Sequence, residues 1–149
     1  MWKILATGGA ETQITPNGGF GGVESVDGRT IYYVRDLAKT SIWRMPVDGG
    51  PSTEVIDAMG PRLWGYWSLS QHYLTFLHLA SLEAGNAEIL QLNLATHRVR
   101  RIGNTERAVE SGTKGLSISR DEQWIFYAQH DVYQTNIMLA DGLTGSGSL

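Results

Sequence analysis

Arg62-Leu63-Trp64-Gly65-Tyr66-Trp67 is the stretch richest in groups that could hold a ligand. A guanidinium suits a carboxylate or phosphate, and three aromatic rings suit stacking or cation–π contact. In an extended strand successive side chains point to opposite faces. Trp64 and Tyr66 are then expected on one face and Trp67 on the other, packed. Trp64, at the start of the strand, suits packing and binding equally. Support for catalysis is thinner. The histidines stand at 72, 78, 97 and 130, with no two-histidine spacing on one element. There is no Gly-x-Ser-x-Gly elbow and no phosphate loop. Cysteine is absent, which removes disulfides and thiolate metal sites. No metal and no cofactor is expected.

The 149 residues carry a net charge of −3, with acids and bases interspersed. A nucleic-acid footprint needs a clustered basic face, and none is visible. No apolar run reaches the ~18 residues of a membrane span or the form of a signal peptide. The expected setting is cytoplasmic, or periplasmic if a leader lies upstream. Eighteen glycines beside five Trp and six Tyr suit an all-β chain with many tight turns.

The elements that must position these residues come from an internal repeat. Trp2, Lys3, Gly8-Gly9 and Thr12 match Trp43, Arg44, Gly49-Gly50 and Thr53 at a constant offset of 41. Both copies read as strand, glycine turn, strand. Glu88–Leu94 followed by Arg98–Ile102 is a third copy, and Asn136–Gly142 begins a fourth. A second hairpin unit lies between them. Gly22–Val34, with an Asp27-Gly28 turn, is matched by Gly65–Leu77 and Gly115–Tyr127, where the turn residues have drifted to Gln71-His72 and Glu122. A period of roughly 40–50 residues made only of short strands predicts propeller blades of four antiparallel strands.

Lettered outward from the axis, strands A are expected near 19–25, 63–69 and 114–119, and strands B near 30–35, 73–79 and 123–129. Strands C fall near 1–6, 41–46, 87–94 and 135–140, and strands D near 11–15, 52–57 and 97–102. The B strands are apolar on both faces, as a strand between two neighbouring blades must be. Gly22, Gly65 and Gly115 recur once per A strand, and packing near the axis explains them better than ligand cradling. Residues 1–141 form the blades, and 142–149 read as a flexible tail.

Ser25–Val34 and Ser119–Gln129 resemble the Ser-Pro-Asp-Gly-Lys hairpin of TolB-like (WD-like) propeller repeats. Ile42–Gly50 with Ser52–Ile56, and Asn136–Asp141, resemble the rest of such a blade. The order of elements is similar to the C-terminal propeller region of bacterial multidomain proteins with an N-terminal winged-helix DNA-binding domain. That resemblance implies the fold, and it implies protein or peptide binding; it lends no catalytic residue. No DNA-binding domain is present in these residues, so nucleic-acid binding is not expected of them.

Propeller ligands sit where D–A and B–C loops meet at the channel mouth. The binding candidates there are Arg35, Arg62, Trp64, Tyr66, Lys114 and His130, with Glu24 projecting into the channel; Asp36, Glu110 and Asp131 lie on the same face. The expected function is a non-catalytic binding scaffold. The alternatives are a propeller lyase or hydrolase with a channel-mouth site, or a fragment of a longer propeller with no ligand of its own. Twelve strands from residue 11 onward make about three blades, leaving 1–6 as a vestigial strand, and propellers close with 4–8. The expectation is therefore a homodimer forming a six-bladed ring, in which residues 11–15 of each chain act as the closing outer strand of the other.

Overall fold

In the computed structural model, residues 1–57, 59–81, 85–109 and 112–130 are described. Among them the fold is all-β, in antiparallel sheets. β1 (Trp2–Lys3) and β2 (Thr12–Gln13) form a two-stranded hairpin. β3 (Phe20–Glu24), β4 (Thr30–Val34), β5 (Ile42–Pro46) and β6 (Thr53–Ile56) form a four-stranded blade in that order. β7 (Trp67–Leu69), β8 (Tyr73–His78), β9 (Glu88–Asn93) and β10 (Val99–Asn104) form the next blade. β11 (Leu116–Ile118) and β12 (Ile125–Tyr127) begin a third. This is a partial propeller.

Each blade is a meander because its turns are local. In the Ser-x-Asp turn, Ser25 Oγ donates to Asp27 Oδ1 at 2.6 Å and accepts the Thr30 N–H at 3.0 Å. Ser119 and Asp121 repeat the arrangement, with the Trp124 N–H on Ser119 Oγ at 2.9 Å. Bonds from Ser25 and Ser119 are the main cause holding the Asp27 and Asp121 carboxyls below their ordinary value. The β7–β8 turn is shorter. The Ser70 N–H bonds the Tyr73 carbonyl at 2.9 Å, leaving only Gln71 and His72 in the loop, against four residues between Ser25 and Thr30.

Alternation along β4 holds blade faces together. Tyr32 and Val34 join one core with Ile42, Ile56, Leu63, Tyr66, Trp67, Leu74 and Phe76 of both blades. Tyr33 and Ile31 turn the other way, onto Ile14 and Met45, with Met1 packed alongside. The first core fills the gap between two blades; the second seats the β1–β2 hairpin on the first blade. Burying so many large side chains supplies the driving force for blade stacking, at ~1.5–3 kcal/mol for each fully buried side chain.

The N-terminus corrects one expectation. β2 is not spare and β1 is not vestigial, because they pair with each other, Trp2 opposite Gln13 and Lys3 opposite Thr12. That register repeats Trp43 opposite Glu54 and Arg44 opposite Thr53 in the first blade. Gly8-Gly9 and Gly49-Gly50 also share their left-handed backbone, φ 89 and 127 against 93 and 133. The expected strand at 135–140 lies outside the described residues.

Candidate functional site

The site is built where three inner strands converge. Gly65 forms a parallel bridge with Lys114, drawing the entry of β7 against that of β11. The Gly115 N–H donates to the Gly65 carbonyl at 3.1 Å, and the Gly112 N–H to the Arg62 carbonyl at 2.9 Å. Two glycines permit this. A Cβ on Gly65 would overlap the Thr113 carbonyl oxygen, and a Cβ on Gly115 would overlap the Tyr66 ring. Both glycines are thus required by close packing, as the sequence suggests.

Facing the axis is a cavity of about 180 Å³, lined by Gly21 and Val23 of the first blade, Trp64, Gly65, Trp67, Ser68 and Leu69 of the second, and Lys114 and Leu116 of the third. Trp64 is half-buried. Its ring meets Phe20 edge-on, with centroids 5.6 Å apart and planes at 73°. Its carbonyl accepts the Trp67 indole N–H at 3.0 Å. Lys114 is the one charged residue of this lining. The arrangement offers an aromatic surface, an apolar floor and one ammonium group.

The structure places Trp64 and Lys114 on one cavity and disperses the other candidates. Tyr66 is the clearest correction. The Tyr66 N–H bonds the Leu63 carbonyl at 2.9 Å, so residues 63–66 form a turn rather than an extended strand. Strand alternation therefore fails there. Trp64 shares the cavity with Trp67, while Tyr66 is fully buried and its hydroxyl donates to the Ala128 carbonyl at 3.2 Å. Tyr66 joins two blades and presents nothing to a ligand.

Arg62 is exposed, with a left-handed backbone at φ 61, and contributes its carbonyl to the loop rather than its side chain to the lining. Arg35 stacks over Trp43 at 4.4 Å and lines a cleft with Thr15, Tyr33 and Ser52, on the face turned to the β1–β2 hairpin. Glu24 ends β3 and its carboxylate reaches the Gly28 turn, at the opposite end of the strand from the loops. His130 bonds through its backbone N–H to the Ala108 carbonyl at 2.9 Å and is not part of the lining. Glu110 and Asp131 lie outside the described residues.

Two features escaped the sequence. A cleft of about 250 Å³ between the outer strands of the two blades is lined by Tyr32, Arg44, Glu54, Leu92 and His97, among others. The two drifted turns also meet. The His72 N–H donates to Glu122 Oε1 at 2.9 Å, and His72 Nδ1 lies 2.9 Å from Glu122 Oε2. Glu122 holds a left-handed backbone at φ 60, where its counterpart Gly28 has φ 71. The carboxylate bridge between blades compensates for a residue that fits this conformation less well than glycine.

Burial pushes the Glu122 carboxyl up. Bonds from the His72 backbone, Ser70 and the His72 ring outweigh it and hold the group below the ordinary 4.5. With the folded value depressed, the stabilisation is fully present above 4.5 and is lost as pH falls through the folded value. Glu122→Gln is expected to lose ~0.5–1.5 kcal/mol of stability at neutral pH. Urea midpoints of variant and wild type should converge in acid; parallel curves at every pH would exclude a role for the ionised carboxylate.

Among the described residues, no group of three or more His, Asp or Glu is placed to hold a metal ion. No helix among them is long and apolar enough to cross a membrane. The cytoplasmic setting expected from the sequence gains no support from this.

No family model and no curated protein matches the chain. Among solved structures it is similar to the crystal structure of TolB from Acinetobacter baumannii, with a TM-score of 0.57 and 20% identity. The match covers 80% of this chain and 29% of that one, so the chain spans under a third of its structural neighbour. At that identity the likeness shows the fold, a TolB-like propeller.

Proposed function

We propose that the chain is a non-catalytic binding module. Its inner strands present the Trp64–Lys114 cavity to a protein or peptide, within a six-bladed ring of which these residues form half. The observation that carries this reading is the convergence of three inner strands on a half-exposed tryptophan beside a lysine. Tryptophan is among the residue types in which interface hot spots are enriched. The lining favours a segment with an apolar or aromatic anchor next to a carboxylate. The resemblance to TolB-like propellers points the same way. A lyase or hydrolase would need acids, bases or metal ligands converging in the cavity, whose lining holds only Lys114 as a charged group.

The test is to pan a random peptide library on the immobilised protein and measure an enriched peptide by calorimetry. Trp64→Ala is expected to weaken binding by ~30-fold or more, the effect of a hot spot worth ~2 kcal/mol. Lys114→Ala should weaken it less and remove most of its salt dependence. Enriched peptides that bind both variants like the wild type would overturn the assignment.

A further inference from the structure

The two terminal hairpins are complementary halves of one blade. β1–β2 has the register of β5–β6, the outer half. β11–β12 has the register of β3–β4, the inner half. Ile118 faces Ile125 and Ser117 faces Phe126, as Glu24 faces Ile31 and Val23 faces Tyr32. In the complete first blade these halves join along β4 and β5, where Ile31 lies opposite Met45, Tyr32 opposite Arg44 and Tyr33 opposite Trp43. Among the described residues, neither the second edge of β1 nor that of β12 has a strand partner. An open apolar edge is a site for strand addition.

We infer that β12 of one chain pairs antiparallel with β1 of a second copy, so that the two hairpins complete a shared blade. The repeat dictates the register: Ile125 opposite Ile4, Phe126 opposite Lys3 and Tyr127 opposite Trp2 of the second copy. The side chains left outside the cores fit this joint. Trp2 and Leu5 are 62% and 73% exposed on one half, and Trp124 and Phe126 are 67% and 59% exposed on the other. Of their counterparts in the complete first blade, Tyr32 is buried in the place of Phe126, Trp43 and Thr30 are half-buried in the places of Trp2 and Trp124, and Pro46, in the place of Leu5, stays exposed. Each chain carries one half of each kind, so a twofold pair makes both joints at once and leaves neither edge open.

The occupant is a second copy on the strength of the matching register of β1, which the chain carries itself; the chain's own 136–141 segment repeats the same strand and is the competing occupant that the test separates. The joint extends the six-bladed reading above. It fails separately from peptide binding, since the Trp64 cavity lies within one chain.

The chain has no cysteine, so introduced thiols report cleanly. Lys3→Cys and Phe126→Cys are made as separate variants, mixed and oxidised. A disulfide-linked dimer is expected from the mixture and not from either variant alone. Wild-type sedimentation at micromolar concentration should give twice the 16.4 kDa chain mass, independently of how the variants fold. A wild-type monomer overturns the inference. So does a dimer whose mixed variants fail to cross-link, which would place the contact elsewhere. A Phe126→Cys/Leu139→Cys double variant that closes within one chain also overturns it, because the chain's own 136–141 segment would then occupy β12.

Discussion

Tyr66→Ala is expected to destabilise the protein by ~3–5 kcal/mol, the range for truncating a large buried aromatic. The ring is fully buried and fills the space that Gly115 leaves open. Its hydroxyl reaches across to the Ala128 carbonyl at 3.2 Å. Truncation would therefore open a void between the second blade and β11–β12, and remove a bond between them. Tyr66→Phe keeps the ring and should cost only ~0.5–1.5 kcal/mol, the net value of one hydrogen bond. Urea denaturation followed by tryptophan fluorescence separates the two. Equal losses would mean that the hydroxyl, not the ring, holds the blades together. A negligible loss in Tyr66→Ala would remove Tyr66 from the core.

Gly65→Ala is the second large effect, expected at ~1–3 kcal/mol or more, the cost of overpacking a close contact. The added Cβ would lie 2.6 Å from the Thr113 carbonyl carbon and 2.7 Å from the Lys114 Cα. These are backbone atoms, which cannot rotate aside as a side chain can. The bridge to Lys114 should open, and the cavity should widen with it. Gly65→Ala is therefore expected to lower both stability and peptide affinity. Gly22→Ala is the control. There the new Cβ meets the ends of the Ile31 and Met1 side chains at 3.0 and 3.1 Å, which can yield. Its loss in a urea midpoint should be clearly smaller. Equal losses would show that backbone approach is not what Gly65 provides.

Much of the fold was legible because it is written in local chemistry. Ser-x-Asp turns, Gly-Gly turns and a constant offset marked the hairpins. The doubly apolar β4 announced neighbours on both sides, and Tyr32 and Tyr33 do join different cores. The A-strand glycines could be read as packing residues without knowing what they pack against. What was illegible depends on contacts between elements. Residues 63–66 look like a strand, but the Leu63–Tyr66 bond bends them, so alternation placed Tyr66 beside Trp64 when it is fully buried; Trp67 packs in the core between the blades, as read. Arg35 looks free in sequence and is held over Trp43. His72 and Glu122 read as two independent lapses in a repeat, yet they bond each other across fifty positions. The pairing of β1 with β2 was in the offset itself, since the matched residues of the first blade are cross-strand partners there.

In the proposed function the inner-strand cavity is the binding surface. Hydrogen–deuterium exchange with and without the selected peptide tests it most directly. Protection is predicted in 63–69 and 112–118, the segments that carry Trp64 and Lys114. Protection confined to 92–99, at the outer cleft of Leu92, His97 and Val99, would contradict it.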